Sequence, residues 1–182
     1  CVPLNLEMAI APDIVEVALD VRPQEVCIVP ERRQELTTEG GLDVAGQQAK
    51  VGRTVERLQA SGITVSLFVD PDLRQIRAAA DVGAPVVEIH TGTFLALTGR
   101  RVRAGLERLV RAVVLANERG IRVNAGHGIS AENLPRILGV PHLDTLNIGH
   151  SIVCRSVFVG LERAVKEMLG AMRAYQGGPR GA

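Results

Sequence analysis

The chain has 182 residues, 46% of them hydrophobic and 23% charged, the composition of a single globular domain able to bury a sizeable core. A formal net charge of +1 and an aromatic content of 2% provide neither a basic face for phosphate backbones nor rings on which bases stack, so no nucleic-acid partner is expected. No apolar run approaches the ~20 residues of a membrane span and no leader pattern opens the chain. Cys1, Cys27 and Cys154 are too widely spaced for a disulfide framework or a CxxC metal site, so a reducing cytoplasm is the expected setting.

The chain opens on Cys1 rather than Met and reaches a strand-like run, LNLEMA (4–9), within a few residues, as the interior of a longer gene product would. Further β-rich runs are EVCIVP (25–30), ITVSLFVD (63–70), PVVEIHTG (85–92), IRVNAGHG (121–128) and LDTLNIGH (143–150). Each is followed by a segment of helical periodicity. The stretch 29–44 is a long polar loop with Thr37, Thr38, Gly40 and Gly41 near its centre, a lid or ligand clamp unless it is merely solvated. Val102, Leu106, Leu109 and Val113 form one apolar stripe and predict a helix over 102–118. Val157, Leu161, Val165, Met168 and Met172 extend the same pattern over a last helix, 151–175, and residues 176–182 are expected to be a disordered tail. Gly62 and Gly120 sit where helices end, just before a strand.

Six alternations of apolar strand and helix predict a parallel sheet of right-handed βαβ units, its strands buried on both faces. A doubly wound sheet and part of a (β/α)8 TIM barrel both satisfy this. The polar residues separate them. His90, His127 and His150 fall at or just past C-terminal strand ends, with only His142 on the opposite rim, and Glu7, Glu88, Asn124 and Asn147 lie in or at the ends of the strands. Polar side chains from nearly every strand at one edge suit a barrel's catalytic rim better than the single crevice of an open sheet.

Glu88 and His90 in EIHTG are two apart and share a strand face, as a reacting pair or as a structural hydrogen-bonded pair. Glu7, a carboxylate within an apolar strand, is expensive to bury without a partner or a task. NAGHG and NIGH each join an Asn, a glycine-containing turn, a histidine and a helix start, at Ser130 and Ser151. Such turns on the last two strands of a barrel present backbone N–H groups to phosphate. As two tight βα turns they explain the glycines but neither histidine. The two lysines, Lys50 and Lys166, lie on helical stretches, so a lysine Schiff-base mechanism has no nucleophile and an imine must use an amine from the substrate.

Together NLEMA, the TTEGGLDVAGQ stretch, SLFVD, GAPVVEIHTG, VNAGHG and LNIGH resemble the pyridoxine 5'-phosphate synthase family of vitamin B6 biosynthesis, in unbroken order from about residue 4 to 173. The resemblance implies a TIM barrel that condenses 3-amino-2-oxopropyl phosphate with 1-deoxy-D-xylulose 5-phosphate, releasing phosphate and water, without metal or organic cofactor, in a homo-octamer. It implies Glu7 as general base, His127 as proton donor and Glu88 as the carboxylate that stabilises charge. Thr37 is implied to contact the deoxyxylulose phosphate, and Gly128, Gly149 and His150 the aminoketone phosphate. Members carry two further βα units ahead of the NLEMA strand, with motifs that do not occur here, so the chain reads as strands three to eight. By itself such an arc leaves two sheet edges unpaired and is expected to aggregate or be inactive. Two other readings stay open: a metal-dependent barrel enzyme using His90, His127 and His150 with Glu7 or Glu88, and a non-catalytic phosphate-binding remnant.

Overall fold

The computed structural model describes residues 2–31 and 40–177. Thr37 and Thr38, and positions 178–182 of the expected tail, lie outside the described residues. The six expected strands are present as β1 (Asn5–Met8), β2 (Glu25–Ile28), β3 (Thr64–Val69), β4 (Val86–His90), β5 (Arg122–Gly126) and β6 (Leu143–Asn147). They form one sheet in the order β1-β2-β3-β4-β5-β6, parallel throughout. Each strand follows its sequence predecessor in space. A doubly wound sheet instead reverses order at a switch point, so the arrangement is the singly wound arc of a barrel. Among the described residues β1 pairs only with β2, and β6 only with β5.

Helices α1 (Pro12–Val21), α2 (Gln48–Ala60), α3 (Leu73–Asp81), the single-turn α4 (Gly92–Leu95) and α5 (Arg101–Glu118) pack on the outside of the arc. Val26, Ile28, Val65, Leu67, Val87, Ile89, Val123 and Ala125 face them and meet Val55, Leu58, Ile76, Leu109 and Val113 in the main core. At about 1.5–3 kcal/mol for each fully buried aliphatic side chain, this layer holds the arc together. Gly62 and Gly120 follow α2 and α5 with φ of 79° and 72°, the left-handed conformation that ends a helix.

As expected, β2 to β5 are buried on both faces, although the face turned away from the helices carries Cys27, Ser66, Glu88 and Asn124, with Glu7 in line on β1. Two expectations need correction. No α-helix follows β5. Ser130 does not begin one, and its amide is instead capped by Asn133 Oδ1 at 2.8 Å ahead of a short 3-10 turn, Leu134–Arg136. Only 16 residues separate β5 from β6, and Pro135 lacks the N–H to propagate a longer helix. Finally, the helix expected over 151–175 is two, α6 (His150–Val159) and α7 (Leu161–Met172). Gly160, at φ 83° and ψ 152°, takes a backbone conformation open essentially to glycine alone and turns the chain between them. The expected apolar stripe is split accordingly. Met168 is buried, whereas Val157 is 80% exposed and Leu161 61% exposed. At the last described residue, the Gly177 carbonyl accepts from the His142 amide at 2.6 Å.

Candidate active site

The C-terminal ends of the strands open on a cleft of about 840 Å³. Glu7, Glu88, His127, Gly128, Gly149 and His150 all line it. The structure therefore gathers from four segments every expected site residue it describes. Glu7 is not buried in its strand. Its side chain is exposed toward the cleft, so among the described residues the burial penalty argued from its sequence context does not arise.

Glu88 is the buried carboxylate, 4% exposed. Its Oε2 accepts from Asn147 Nδ2 at 2.6 Å and from the Cys27 thiol at 3.4 Å. Burial pushes Glu88 above the ordinary glutamate range, the negative charge of Glu7 adds to that, and the hydrogen bonds from Asn147 and Cys27 oppose it. Burial and the neighbouring Glu88 also drive the Cys27 thiol strongly upward, so it remains a protonated donor. Gly126, on the adjacent strand, has no room for a Cβ, which would overlap Glu88 Oε1.

Asn147 reaches Glu88 because of an irregularity in β6. Val123 pairs with Leu143 but Asn124 pairs with Thr145, so Asp144 is an extra residue in the ladder. The bulge puts Leu143 and Leu146, three apart, on the helix side, and Thr145 and Asn147 on the side of Glu88. Strict alternation along LDTLN does not reveal this.

His127 stands at φ 72° and Gly128 at φ 77°, so two consecutive residues are left-handed. For a residue with a Cβ this conformation costs roughly 1–2 kcal/mol. The turn is held from two directions. The Thr91 hydroxyl lies 2.8 Å from the Gly126 carbonyl and 2.7 Å from that of His127, and Asn133 Nδ2 donates to the Gly128 carbonyl at 2.8 Å. Gly149 takes φ −111° and leads directly into α6, whose first-turn amides have no acceptors within the helix. Ser151 Oγ donates to the Ile129 carbonyl at 2.8 Å and ties the two turns together.

His90 is placed differently from the other rim histidines. It is 2% exposed, and its Nδ1 lies 3.0 Å from Asp70 Oδ1, a contact that holds the Asp70 carboxyl below the usual carboxylate range. His90 and Glu88 are therefore not a hydrogen-bonded pair with each other; each has its own partner. Among the described residues no three His, Cys, Asp or Glu side chains gather in a metal-ligating group, so the constellation required by a metal centre on His90, His127 and His150 is not assembled. Asp70, Cys27, Phe68 and Thr91 are site residues that no sequence pattern singles out, and Asp70 meets His90 only across adjacent strand ends.

A parallel α/β arc with carboxylates, histidines and two glycine turns at its C-terminal strand ends has the make-up of a barrel-type enzyme's catalytic rim. The family profile described as Pyridoxal phosphate biosynthesis protein PdxJ matches residues 1–174, and the chain belongs to that family. A relative from Akkermansia muciniphila named pyridoxine 5'-phosphate synthase is 52% identical over 171 residues, covering 93% of this chain and 70% of that protein. One of the same name from Coxiella burnetii is 51% identical over 168 residues, covering 92% and 70%. Among solved structures, a xylose isomerase domain protein from Planctomyces limnophilus superposes with a TM-score of 0.58 at 15% identity, over 93% of this chain and 71% of that one. The citrate synthase SbnG superposes at 0.56 with 17% identity, over 98% and 78%. These distant likenesses concern the fold alone.

Proposed function

We propose that this chain carries the ring-closing site of a pyridoxine 5'-phosphate synthase, acting on 3-amino-2-oxopropyl phosphate and 1-deoxy-D-xylulose 5-phosphate and releasing phosphate and water. The observation that carries the proposal is the convergence of Glu7, Glu88 and His127 on one cleft walled by two glycine turns. Its volume, about 840 Å³, lies within the usual range for small-molecule sites. The substrate's own amine condenses with the ketose carbonyl, and water leaves as the imine forms. This fits the placement of Lys50 in α2 and Lys166 in α7, away from the strand ends.

In this reading Glu7, exposed and unencumbered by the core, takes the protons released during dehydration, and His127 returns one to the leaving oxygen. Glu88, whose neutral form is favoured by burial, stabilises the charge that develops between them. Gly128, Gly149, His150 and the free amides at the start of α6 receive the aminoketone phosphate. Thr37, outside the described residues, contacts the second phosphate. The six strands correspond to strands three to eight of the family barrel. The enzyme works in the cytoplasm as a homo-oligomer, an octamer by resemblance, and the exposed Val157 and Phe158 of α6 favour subunit contacts.

The test is pyridoxine 5'-phosphate formation from the two phosphates by the purified protein. His127→Ala is expected to abolish most of it. Unchanged product formation in that variant removes the acid/base role.

A further inference from the structure

His127 carries the proton transfers in the reading above, yet it sits on a strained turn and is exposed at the rim. Something must hold its ring. The end of β4 supplies three consecutive residues at that turn. The His90 and His127 rings lie edge to face with centroids 5.0 Å apart, and Phe68 stands 5.2 Å from His90 and 6.5 Å from His127. Thr91, fully buried, has one hydroxyl hydrogen, shared between the carbonyls of Gly126 and His127, while its amide donates to Gly126 at 2.9 Å. Gly92 completes the fit, since a Cβ there would come within 2.7 Å of His127 Cδ2 and 2.8 Å of His90 Nε2.

His90 is itself immobilised. It is buried, and the Asp70 carboxylate accepts from Nδ1–H, which selects one tautomer and fixes the plane of the ring. Asp70 is steadied in turn by the Gly41 backbone, which passes so close to β3 that a Cβ at Gly41 would overlap the Asp70 amide. The chain of contacts runs from the glycine loop through Asp70 and His90 to His127.

We propose that Asp70, His90 and Thr91 are positioning residues for His127: Thr91 holds its left-handed backbone, and the Asp70–His90 pair is the rigid wall that sets its ring. The proposal rests on His127 as the proton-transfer group.

The test uses Thr91→Val, Thr91→Ser and Asp70→Asn in the protein assayed above. Thr91→Val and Asp70→Asn lower kcat about tenfold to a hundredfold, the penalty of a slightly misplaced catalytic group. KM for either phosphate stays within about twofold of its original value, because ground-state binding is untouched. Thr91→Ser, which keeps the hydroxyl, restores kcat. In a His127→Ala background neither substitution lowers the residual rate further. Equal fold-losses with and without His127, or an unchanged kcat, overturn the proposal. A second readout is independent of turnover: the His127 ring resonances, shifted by the rings of His90 and Phe68, move in Thr91→Val and return in Thr91→Ser. If His127→Ala alone leaves turnover intact, the acid/base reading falls, and these resonances still decide whether Thr91 sets the ring; unmoved resonances overturn the positioning role.

Discussion

The turns that follow β5 and β6 look alike in sequence, Asn-Ala-Gly-His-Gly against Asn-Ile-Gly-His, and are built on opposite physical lines. The first spends its conformational freedom. His127 and Gly128 are both left-handed, no α-helix leads on to β6, and Thr91 and Asn133 hold the carbonyls in place. The second is relaxed: Gly149 has a negative φ, a Cβ there would meet nothing within 4 Å, and His150 is already the first residue of α6. One turn aims a side chain, and the other presents unpaired amides. A strained, clamped backbone suits a group that must meet a reacting atom, whereas a helix start suits an anion bound through several N–H groups at once.

The contrast is broken or sharpened most strongly by the two histidines. His127→Ala should lower kcat by about 10²–10⁴, the usual share of a general acid or base. His150→Ala should raise KM for the aminoketone phosphate about tenfold, the loss of one hydrogen bond to a charged group, with kcat nearly preserved. Steady-state kinetics with each substrate varied in turn distinguishes them. Equivalent effects from both variants would erase the division of labour.

The glycines should diverge next. Gly128→Ala forces a Cβ into a left-handed residue 3.2 Å from Gly92 Cα and should destabilise the fold by about 1–2 kcal/mol, read from urea unfolding. Gly149→Ala has open space and should change stability by less than about 0.5 kcal/mol, yet weaken phosphate binding by crowding the amides. Loss of stability in Gly149→Ala would show that the second turn is strained as well.

Glu88 tests what lies beneath both turns. Its folded pKa is raised, so its neutral form is the one the fold favours. The stability this contributes is complete below the ordinary glutamate value of 4.5 and is lost as pH rises through the higher folded value. Glu88→Gln keeps an oxygen for Asn147 and Cys27 without the charge. It should therefore become increasingly more stable than the parent as pH rises from 4.5 toward neutrality, while losing activity. A melting-temperature difference independent of pH would contradict the buried-carboxylate assignment. Ser151→Ala removes the tie to the Ile129 carbonyl and should cost about 1 kcal/mol in the same unfolding experiment.

Much of this was legible in the chain itself. The six strands lie within three residues of their expected limits, and the helix over 102–118 is α5, because strand and helix periods are local patterns carried by near neighbours. The rim histidines and both glutamates were legible for the same reason, since a polar residue at the end of an apolar run has a position in any parallel sheet. The break at Gly160 was not. A glycine inside a helical pattern is tolerated at about 1 kcal/mol, so its presence does not reveal whether the helix continues or turns. Nor was the extra residue at Asp144, which only the pairing of β6 with β5 exposes.

The sequence by itself determined the alternation of strand and helix, the parallel sheet and the set of polar groups destined for its C-terminal edge. Tertiary structure decided which of those groups are held and which are free to face the cleft. Glu7 stands exposed at the cleft, Glu88 became buried because Cys27 and Asn147 close over it, and His90 was withdrawn into the wall by Asp70. The reason is separation along the chain. Periodicity is read from residues three or four apart, whereas Glu88 meets Cys27 across 61 positions and Asn147 across 59, contacts that no local pattern encodes.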